Sequence, residues 1–391
     1  MIFLGTLFPE EREREIISNS KAGVSNAANS FQWKMIQGLR ENTKEPLIII
    51  NVLPVGTWPK HYKVCCLHNQ TWEYEGEVCH EVGGPNFPVI KQLVRAGKIR
   101  KLLKQYRTEN EIIAFTAYLP FLCACSDLES NRKVTAVITD IPEFYDMHRV
   151  SPLRKLLRKL HNKIVYHYMA RVDRFVLLTE QMKEPLHVGD RPFMIMEGIC
   201  DVPATVPTEE NDARFILLYT GRLNRRYGIG ELLDAVEGLD DPELELWICG
   251  SGEMEQEIQT RSNKDPRIRF FGFVSHDESL LLQQKASVLV NPRTNEGEYT
   301  KYSFPSKTME YMAAGKPVMM YRLDGIPAEY DPYLFYIPEE NTESICQTIL
   351  RIKNMTPEER NLAAEKAREF VLSQKNKTVQ MCRVLRFLKN E

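Results

Sequence analysis

The sequence predicts an α/β chain made of two doubly wound parallel-sheet domains. Short apolar runs alternate with amphipathic helical patterns through both halves of the chain. A polar, proline-containing stretch at residues 198–212 separates the two halves. The length of 391 residues also exceeds what one ordinary core holds. Strand–helix alternation of this kind builds parallel sheets that helices cover on both faces.

The first half predicts one domain over residues 1–200. Each predicted strand is a short apolar or β-branched run bounded by turn residues, and each predicted helix repeats apolar residues every three or four positions. The strands are predicted at 1–7, 46–52, 111–115, 134–139 and 174–178, and the helices at 26–40, 89–106 and 152–171.

The same alternation of strands and helices begins again after the linker and predicts a second domain over residues 201–370. A helix over 371–391 is expected to cross back to the first domain. Ligands of open parallel sheets bind beyond the carboxyl ends of the strands. We therefore expect the two sheets to face a central cleft, with the chemistry on loops that follow strands. The strands of this domain are predicted at 215–220, 244–249, 268–271, 287–291, 317–321 and 334–337.

Composition limits the class of protein. A hydrophobic content of 43% and a charged content of 27% are typical of a globular chain. Nine cysteines without repeated metal-ligand spacing favour a reducing cytosol over a disulfide framework. The chain opens directly on an apolar strand, so no signal peptide is expected. The longest apolar run, at 112–125, is too short to cross a bilayer. A cytoplasmic location follows as an expectation.

The segment TGRLNRRYG, at 220–228, directly follows a predicted strand. Gly221 allows a tight exit, and Arg222 stands at the carboxyl end of the strand. The planar guanidinium of arginine suits a diphosphate, so Arg222 is a candidate phosphate ligand, with Arg225 or Arg226 as a second cation. A surface turn with incidental basic residues is the alternative.

The segment KYSFPSKTMEYMAAGKPV, at 301–318, predicts a helix that begins at the edge of the sheet. Ser306 is expected to cap a helix over 307–314, and Gly315 and Pro317 to end it. Exposed N–H groups and the positive dipole end make such a terminus an anion site. Lys307 in the first turn would be unfavourable there unless an anion bound nearby. Glu310 either suits the helix dipole or accepts hydrogen bonds from ribose hydroxyls.

Five motifs in this order resemble the donor-binding half of glycosyltransferase family 4, which has the GT-B fold of two Rossmann-like domains. The resemblance runs from about residue 215 to residue 338. The motifs are GRLNRRYG (221–228), ICGSGE (248–253), FFGFVSHDE (270–278), VLVNPR (288–293) and FPSKTMEYMAAGKPV (304–318).

The resemblance implies roles for individual residues. Arg222 corresponds to the diphosphate-binding arginine of the family, whereas the usual lysine is Tyr227 here. Glu310 matches the second glutamate of a Glu-x7-Glu pair, whose first position is Tyr302. The Phe-Pro-Ser-Lys variant is similar to a subgroup that makes capsular and exopolysaccharide chains, in which Lys307 would supply the missing cation. The full set of donor-binding residues implied is Gly221, Arg222, Arg226, Gly250, Val274, Ser303, Phe304, Pro305, Ser306, Lys307 and Glu310, with Val274 beside the base.

On the acceptor side, Asp140 follows the predicted strand VTAVIT and could orient or deprotonate an acceptor hydroxyl, or merely cap a turn. The loop around Gly23 resembles the glycine-containing acceptor-side loop of the family. The resemblance implies a reaction that retains anomeric configuration, with Asp140, Arg222 and Lys307 as the catalytic set. No Asp-x-Asp pair follows a strand, so cations and helix amides are expected to replace a catalytic metal, and no cofactor is expected.

Two predicted helices of the first domain are rich in lysine and arginine. The helix at 152–171 has leucines on one face and lysines and arginines on the other. The leucines either pack on the sheet or, with the basic residues, bind an anionic membrane surface. Nucleic acid is not expected, since no aromatic residues are interleaved with the basic ones. The basic residues concerned are Lys91, Arg95, Lys98, Arg100, Lys101, Lys104 and Arg107 in one helix, and Arg154, Lys155, Arg158, Lys159 and Lys163 in the other.

Together these features predict a retaining, metal-independent glycosyltransferase. The donor would be a nucleotide diphosphate hexose, with UDP favoured, and the acceptor a glycan or polyprenyl-linked glycan at the inner face of the cell membrane. Two alternatives remain open at this point. One is a nucleotide-sugar epimerase of the same fold, and the other is a catalytically silent, nucleotide-sugar-binding subunit of a transferase complex.

Overall fold

The computed structural model describes residues 1–21, 26–144, 152–200 and 214–390. The chain divides into two compact units. The N-terminal unit comprises Met1–Ile199 and Lys377–Glu391, and the C-terminal unit comprises Cys200–Asn376. Both units are α/β, and both contain a large parallel sheet, so the predicted fold class is confirmed.

The N-terminal unit is built on an eight-stranded sheet in the order β10-β9-β8-β7-β1-β2-β5-β4. Its strands are parallel except for β4, which pairs antiparallel with β5 at one edge. The strands are β1 (Ile2–Gly5), β2 (Ile48–Asn51), β3 (Cys66–Leu67), β4 (Gln70–Tyr74), β5 (Glu77–Glu81), β6 (Gly84–Pro85), β7 (Glu111–Phe115), β8 (Lys133–Ile138), β9 (Arg174–Leu177) and β10 (Phe193–Ile195); β3 and β6 form a separate small antiparallel pair.

Among the described residues of this unit, five α-helices precede the C-terminal unit in the chain. They are α1 (Glu13–Asn19), α2 (Asn26–Asn42), α3 (Ile90–Gln105), α4 (Leu119–Cys125) and α5 (Pro152–Met169). The strands β1, β2 and β9 are buried along their whole length, as expected for a sheet covered on both faces. The strands β4 and β5 were not predicted. Their mixture of exposed polar and half-buried residues is typical of a sheet edge and carries a weak apolar signal.

The C-terminal unit contains a six-stranded, fully parallel sheet in the order β13-β12-β11-β14-β15-β16. The strands are β11 (Phe215–Arg222), β12 (Leu244–Ser251), β13 (Ile268–Gly272), β14 (Val288–Asn291), β15 (Val318–Tyr321) and β16 (Phe335–Ile337). The helices are α6 (Ile229–Gly238), α7 (Glu255–Ser262), α8 (His276–Lys285), α9 (Ser306–Ala313), α10 (Thr342–Lys353) and α11 (Pro357–Gln374). The strand order reverses between β11 and β14, and this switch point is where sheets of this kind bind ligands.

The last helix, α12 (Lys377–Lys389), belongs to the N-terminal unit. Its Met381, Val384 and Leu388 lie in the same apolar core as Met35 and Leu39 of α2. The chain therefore leaves the C-terminal unit after Asn376. No helix among the described residues is long and apolar enough to cross a membrane.

The two basic helices differ from their predicted arrangement. In α5, Leu156, Leu157 and Leu160 are 64%, 57% and 56% exposed, so the alternative in which these leucines pack on the sheet does not hold for these three residues. Val165 and Met169, in the later turns of α5, are buried. The helix therefore packs on the rest of the unit through its carboxyl half, and Leu156, Leu157 and Leu160 are exposed to solvent.

In α3, two of the seven basic residues are buried and cannot contact a membrane. Lys91 donates a hydrogen bond from Nζ to the carbonyl of Val55, and Arg95 donates to Tyr118 Oη at 2.8 Å and to the carbonyl of Leu53 at 3.3 Å. The prediction of a membrane surface through residues 91–107 is thus wrong for these two residues. Both side chains donate hydrogen bonds to carbonyls of the loop that follows β2.

Candidate functional site

The predicted donor residues gather at the carboxyl edge of the C-terminal sheet. Strand β11 extends two residues further than predicted and ends in Gly221 and Arg222. Its neighbour β14 ends at Asn291, and α9 begins at Ser306. The switch point between β11 and β14 therefore carries the end of one strand, the end of its neighbour and the beginning of a helix.

Two glycines let the ends of β11 and β12 approach each other. A Cβ on Gly250 would lie 1.7 Å from the carbonyl oxygen of Gly221, and the φ of Gly250 is +143°. A Cβ on Gly221 would lie 3.1 Å from both Lys307 Cε and Tyr219 Oη. The absence of side chains at these two positions therefore makes room for the lysine of α9. Gly250, predicted as a donor ligand, acts here through its backbone.

Lys307 is a half-buried cation without an anionic partner. Its Nζ donates a hydrogen bond to Thr220 Oγ1 at 3.0 Å and lies 6.0 Å from the ring centre of Tyr311. Burial lowers the pKa of Lys307, although the nearby Glu310 acts in the opposite direction. No carboxylate in the described part of the chain lies within ion-pair distance of this amine. A bound anion would supply the missing charge.

Tyr311 fastens α9 to the end of β11. The backbone N–H of Thr220 donates to Tyr311 Oη at 2.9 Å, and this hydroxyl donates in turn to the carbonyl of Thr220 at 3.2 Å. The side chain is fully buried, and burial raises its pKa. This link was not predicted, since an aromatic residue inside a helical pattern indicates ordinary core packing.

The beginning of α9 differs in detail from the prediction. Pro305 occupies the N-cap position and Ser306 is the first helical residue, so the prediction that Ser306 caps the helix is wrong. No side chain caps this end. Phe304 is buried and packs on Tyr330 with ring centres 5.3 Å apart, and Pro305 is also buried. These two residues can therefore contact a ligand mainly through their backbone groups. The terminus thus presents uncapped N–H groups.

The three arginines of the GRLNRRYG segment have different environments. Arg222 is exposed, and its carbonyl accepts a hydrogen bond from Tyr219 Oη at 2.7 Å. Arg225 is exposed and forms an ion pair with Glu257 at 2.6 Å. Arg226 is exposed, and its backbone N–H is bonded to Asn224 Oδ1 at 3.0 Å. Within the described ranges, neither Arg222 nor Arg226 has a carboxylate at ion-pair distance.

Glu310 and Val274 complete the predicted donor set. Glu310 is half-buried, and its Oε1 accepts a hydrogen bond from Nε2 of the buried Gln283 at 2.7 Å. This bond orients the carboxylate and leaves it able to accept further hydrogen bonds from a ligand hydroxyl. Val274 is half-buried against the core, in the loop after β13.

One cation at this edge was quoted in a motif but given no role. Arg293 follows β14 and is half-buried, and its Nη2 donates to Ser303 Oγ at 3.1 Å. Ser303, predicted as a donor ligand, thus already accepts one hydrogen bond. The signal that could have identified Arg293 is its position, two residues beyond a buried strand at the switch point.

The acceptor-side residues lie in the N-terminal unit. Gly23 falls outside the described residues. Asp140 follows β8, is exposed, and accepts a hydrogen bond from Thr139 Oγ1 at 3.0 Å. The protein atoms around this carboxylate raise its pKa by desolvation. Thr116, at the end of the neighbouring β7, has a φ of +62°, a strained value for a β-branched residue and one not predicted.

Taken together, the C-terminal site is a set of cations and free N–H groups without enough carboxylates to neutralise them. Such a set has the charge and the hydrogen-bond donors that a polyanion requires. Among the described residues, no three His, Cys, Asp or Glu side chains are grouped in a way that could hold a metal ion.

Comparison with known proteins finds similarity to glycosyltransferases, in sequence over part of the chain and in fold over all of it. Residues 214–354 match the family model "Glycosyl transferases group 1". The amylovoran biosynthesis glycosyltransferase AmsK of Erwinia amylovora is 24% identical over 143 residues, which are 35% of this chain and 35% of that protein. The match thus spans about a third of this curated relative.

Solved structures cover the whole chain at low sequence identity. The apo form of the lipopolysaccharide outer core galactosyltransferase WaaB is 13% identical, with 100% of this chain and 99% of that chain covered and a TM-score of 0.65. WaaG, a glycosyltransferase involved in lipopolysaccharide biosynthesis, is 12% identical with full coverage of both chains and a TM-score of 0.58. Anabaena HepE in complex with UDP is 12% identical, with 100% and 99% covered and a TM-score of 0.59.

Proposed function

We propose that this chain, which carries a group 1 glycosyltransferase domain over residues 214–354 and has the GT-B fold, transfers a hexose-type sugar from a nucleotide diphosphate donor to a glycan or polyprenyl-linked acceptor. The observation that carries the proposal is Lys307. This half-buried amine lies at an uncapped helix terminus beside the end of β11, and no carboxylate of the described residues is at ion-pair distance from it. A donor diphosphate matches that site in charge and in hydrogen-bond acceptors.

The donor would be held by groups at one edge of the sheet. Lys307, Arg222 and the N–H groups that begin α9 would bind the diphosphate, with Arg226 at the exposed rim. Glu310, held by Gln283, would accept hydrogen bonds from the ribose hydroxyls. Val274 would lie beside the base. UDP is favoured because HepE, which shares the fold, was solved with UDP.

Catalysis would rest on electrostatic stabilisation of the departing nucleoside diphosphate. Negative charge builds up on the phosphate oxygen as the glycosidic bond breaks, and fixed cations stabilise this charge without reorganising. Asp140, whose raised pKa favours proton uptake, would orient the acceptor hydroxyl. The reaction would retain the anomeric configuration and need no metal. A role in surface polysaccharide synthesis agrees with the name of the relative from Erwinia amylovora.

The donor proposal is tested by thermal unfolding with UDP, GDP, dTDP and the corresponding sugar nucleotides. A ligand present at a hundred times its dissociation constant stabilises the fold by about 2.7 kcal/mol. We expect one nucleotide class to raise the melting temperature and the others to leave it unchanged. No stabilisation by any nucleoside diphosphate would contradict the proposal. Release of the nucleoside diphosphate only with an acceptor present would exclude the epimerase and the silent subunit.

We propose further that the N-terminal unit binds an anionic lipid surface through α5. The exposed Leu156, Leu157 and Leu160 stand on the same helix as the exposed basic residues Arg154 and Lys155. Apolar side chains beside cations are typical of helices that lie in a membrane interface. Each basic residue near such a surface contributes about 1 kcal/mol. A lipid-linked acceptor would be met at this surface.

The lipid proposal is tested by co-sedimentation with vesicles of phosphatidylglycerol and phosphatidylcholine, against vesicles of phosphatidylcholine alone. We expect the wild-type chain to sediment with the anionic vesicles at low salt. The double variant L156S/L160S should lose this binding, whereas L362S should keep it, because Leu362 is equally exposed but lies on α11 of the other unit. Equal sedimentation of all three proteins would refute the role of α5.

A further inference from the structure

Arg293 stands at the switch point of the C-terminal sheet. It lies two residues beyond β14, and β14 is the strand paired with β11. It therefore shares the ligand-binding edge with Arg222, which ends β11, and with Lys307, at the beginning of α9.

The guanidinium of Arg293 is held in place by neutral groups. Its Nη2 donates to Ser303 Oγ at 3.1 Å, and its carbon atom lies 5.8 Å from the ring centre of Tyr227 and 5.2 Å from that of Tyr299. Aromatic faces and a hydroxyl orient an arginine without neutralising it. The group is thus positioned by its surroundings, while its charge remains available.

Within the described residues, Arg293 lacks an acceptor for one N–H group and an anionic partner for its charge. Its Nε is buried and has no hydrogen-bond acceptor. Across the residues that the structure describes, no carboxylate lies within ion-pair distance of its guanidinium. A buried N–H without an acceptor is unfavourable, and so is a half-buried cation without an anion. Both deficits would be removed by one bound anion.

The contact with Tyr227 connects Arg293 to the donor site. Position 227 is where the family resemblance implies a lysine, and the residue there is neutral. Arg293 places its charge against this ring from the neighbouring strand. Tyr219 lies within the electrostatic range of both Arg293 and Tyr227, and its hydroxyl is close to Gly221 and the Lys307 side chain. Arg293 thus supplies, from a different segment of the same sheet edge, the positive charge that Tyr227 does not carry.

We propose that Arg293 is a diphosphate-binding residue of the donor site, with Tyr227, Tyr299 and Ser303 as the groups that position it. The inference rests on the proposed function, since it assigns a ligand of the same donor. Its guanidinium would donate hydrogen bonds from Nε and Nη1 to phosphate oxygens, as planar guanidinium groups do. It would then share with Lys307 the charge that develops on the leaving diphosphate.

The experiment measures the affinity of the full-length chain for UDP by titration calorimetry at two NaCl concentrations, with GDP and dTDP as further probes. The variants are R293Q, which keeps a planar donor for Ser303 but removes the charge, and R293K, which keeps the charge. The control is R269A. Arg269 also stacks on two rings, those of Trp247 and Phe271, but it lies near the amino end of β13 and pairs with Glu245 at 3.6 Å.

We expect R293Q to bind UDP about 10- to 100-fold more weakly, the range for loss of hydrogen bonds to a charged group. Its affinity should also depend less on salt, because one screened charge is gone. R293K should recover part of the affinity, and R269A should match the wild type. All variants should unfold near the wild-type temperature without nucleotide.

The proposal is overturned if R293Q binds UDP within about threefold of the wild type. It is also overturned if R293Q binds more weakly but keeps the wild-type salt dependence, because a purely structural role predicts that result. If R293Q does not fold, R293K decides the question. Wild-type UDP affinity of R293K at low salt would support a role for the charge, and complete loss of UDP binding by R293K would overturn the proposal. Absence of nucleoside diphosphate binding by the wild type itself is a different outcome and contradicts the proposed function.

Discussion

Replacing Lys307 by methionine separates its charge from its packing. Methionine keeps a flexible apolar stem beside Gly221 and removes only the ammonium group, which donates to Thr220 Oγ1 at 3.0 Å. If this ammonium binds the donor diphosphate, its loss should cost about 1.5–3 kcal/mol of binding free energy. That range corresponds to a decrease in affinity of about 10- to 150-fold.

The stability of the free protein should change in the opposite direction. Burial lowers the pKa of Lys307, which means that the folded protein holds this cation at a cost. We therefore expect K307M to unfold at the wild-type temperature or above it when no nucleotide is present. Titration calorimetry with UDP and thermal unfolding of the same samples measure both effects.

Lys316 provides the matched control. It is also half-buried, burial also lowers its pKa, and it lies just beyond the other end of α9. K316M should therefore resemble K307M in stability and the wild type in UDP affinity. Unchanged UDP affinity in K307M would refute the assignment of Lys307. Equal losses in K307M and K316M would show that the effect comes from the helix as a whole.

Three further perturbations test the frame around the site. G250A should destabilise the C-terminal unit by about several kcal/mol and abolish nucleotide binding, because the new Cβ would lie 1.7 Å from the Gly221 carbonyl oxygen. G238A is the control and should unfold like the wild type, because nothing lies within 4 Å of a Cβ at that position. Equal melting temperatures of the two variants would contradict the steric argument. Y311F should cost about 1–3 kcal/mol in denaturant unfolding, since it leaves the buried Thr220 N–H without an acceptor, and a wild-type midpoint would argue against the link. Burial lowers the pKa of Lys91 to about 7, so between pH 7 and about 10.4 the unfolded chain binds more protons than the folded chain. The free energy of unfolding of the wild type should therefore rise with pH across this window. K91M should not show this rise, and identical pH profiles of the two proteins would refute the prediction.

Much of the C-terminal site could be predicted from local sequence. Gly221 and Arg222 follow an apolar strand, and Lys307 and Glu310 follow a Pro-Ser pair that begins a helix. Strand ends and helix beginnings depend on short-range preferences, so residues at those points can be placed at a sheet edge without knowing the fold. The departures were small, such as the start of α9 at Ser306 rather than after it.

Features that depend on distant neighbours were not predicted. Arg225 forms an ion pair with Glu257, thirty-two residues away, and no local pattern predicts this contact. Arg293 enters the site only because β14 is paired with β11, and strand order is a property of the whole sheet. Lys91 is buried and donates a hydrogen bond to the carbonyl of Val55. No local pattern in the sequence predicts that the loop containing Val55 contacts α3.

The sequence by itself determined the α/β class, the two sheets and the helix that begins at Ser306, because periodicity, glycines and helix termini are encoded over a few residues. The tertiary structure decided which cations remain uncompensated. Among the residues that the structure describes, Lys307 and Arg293 have no carboxylate at ion-pair distance, whereas Arg225 pairs with Glu257. The structure also decided that Leu156, Leu157 and Leu160 of α5 are exposed. Charge compensation and burial are sums over groups far apart in the chain, and only the folded arrangement fixes those sums.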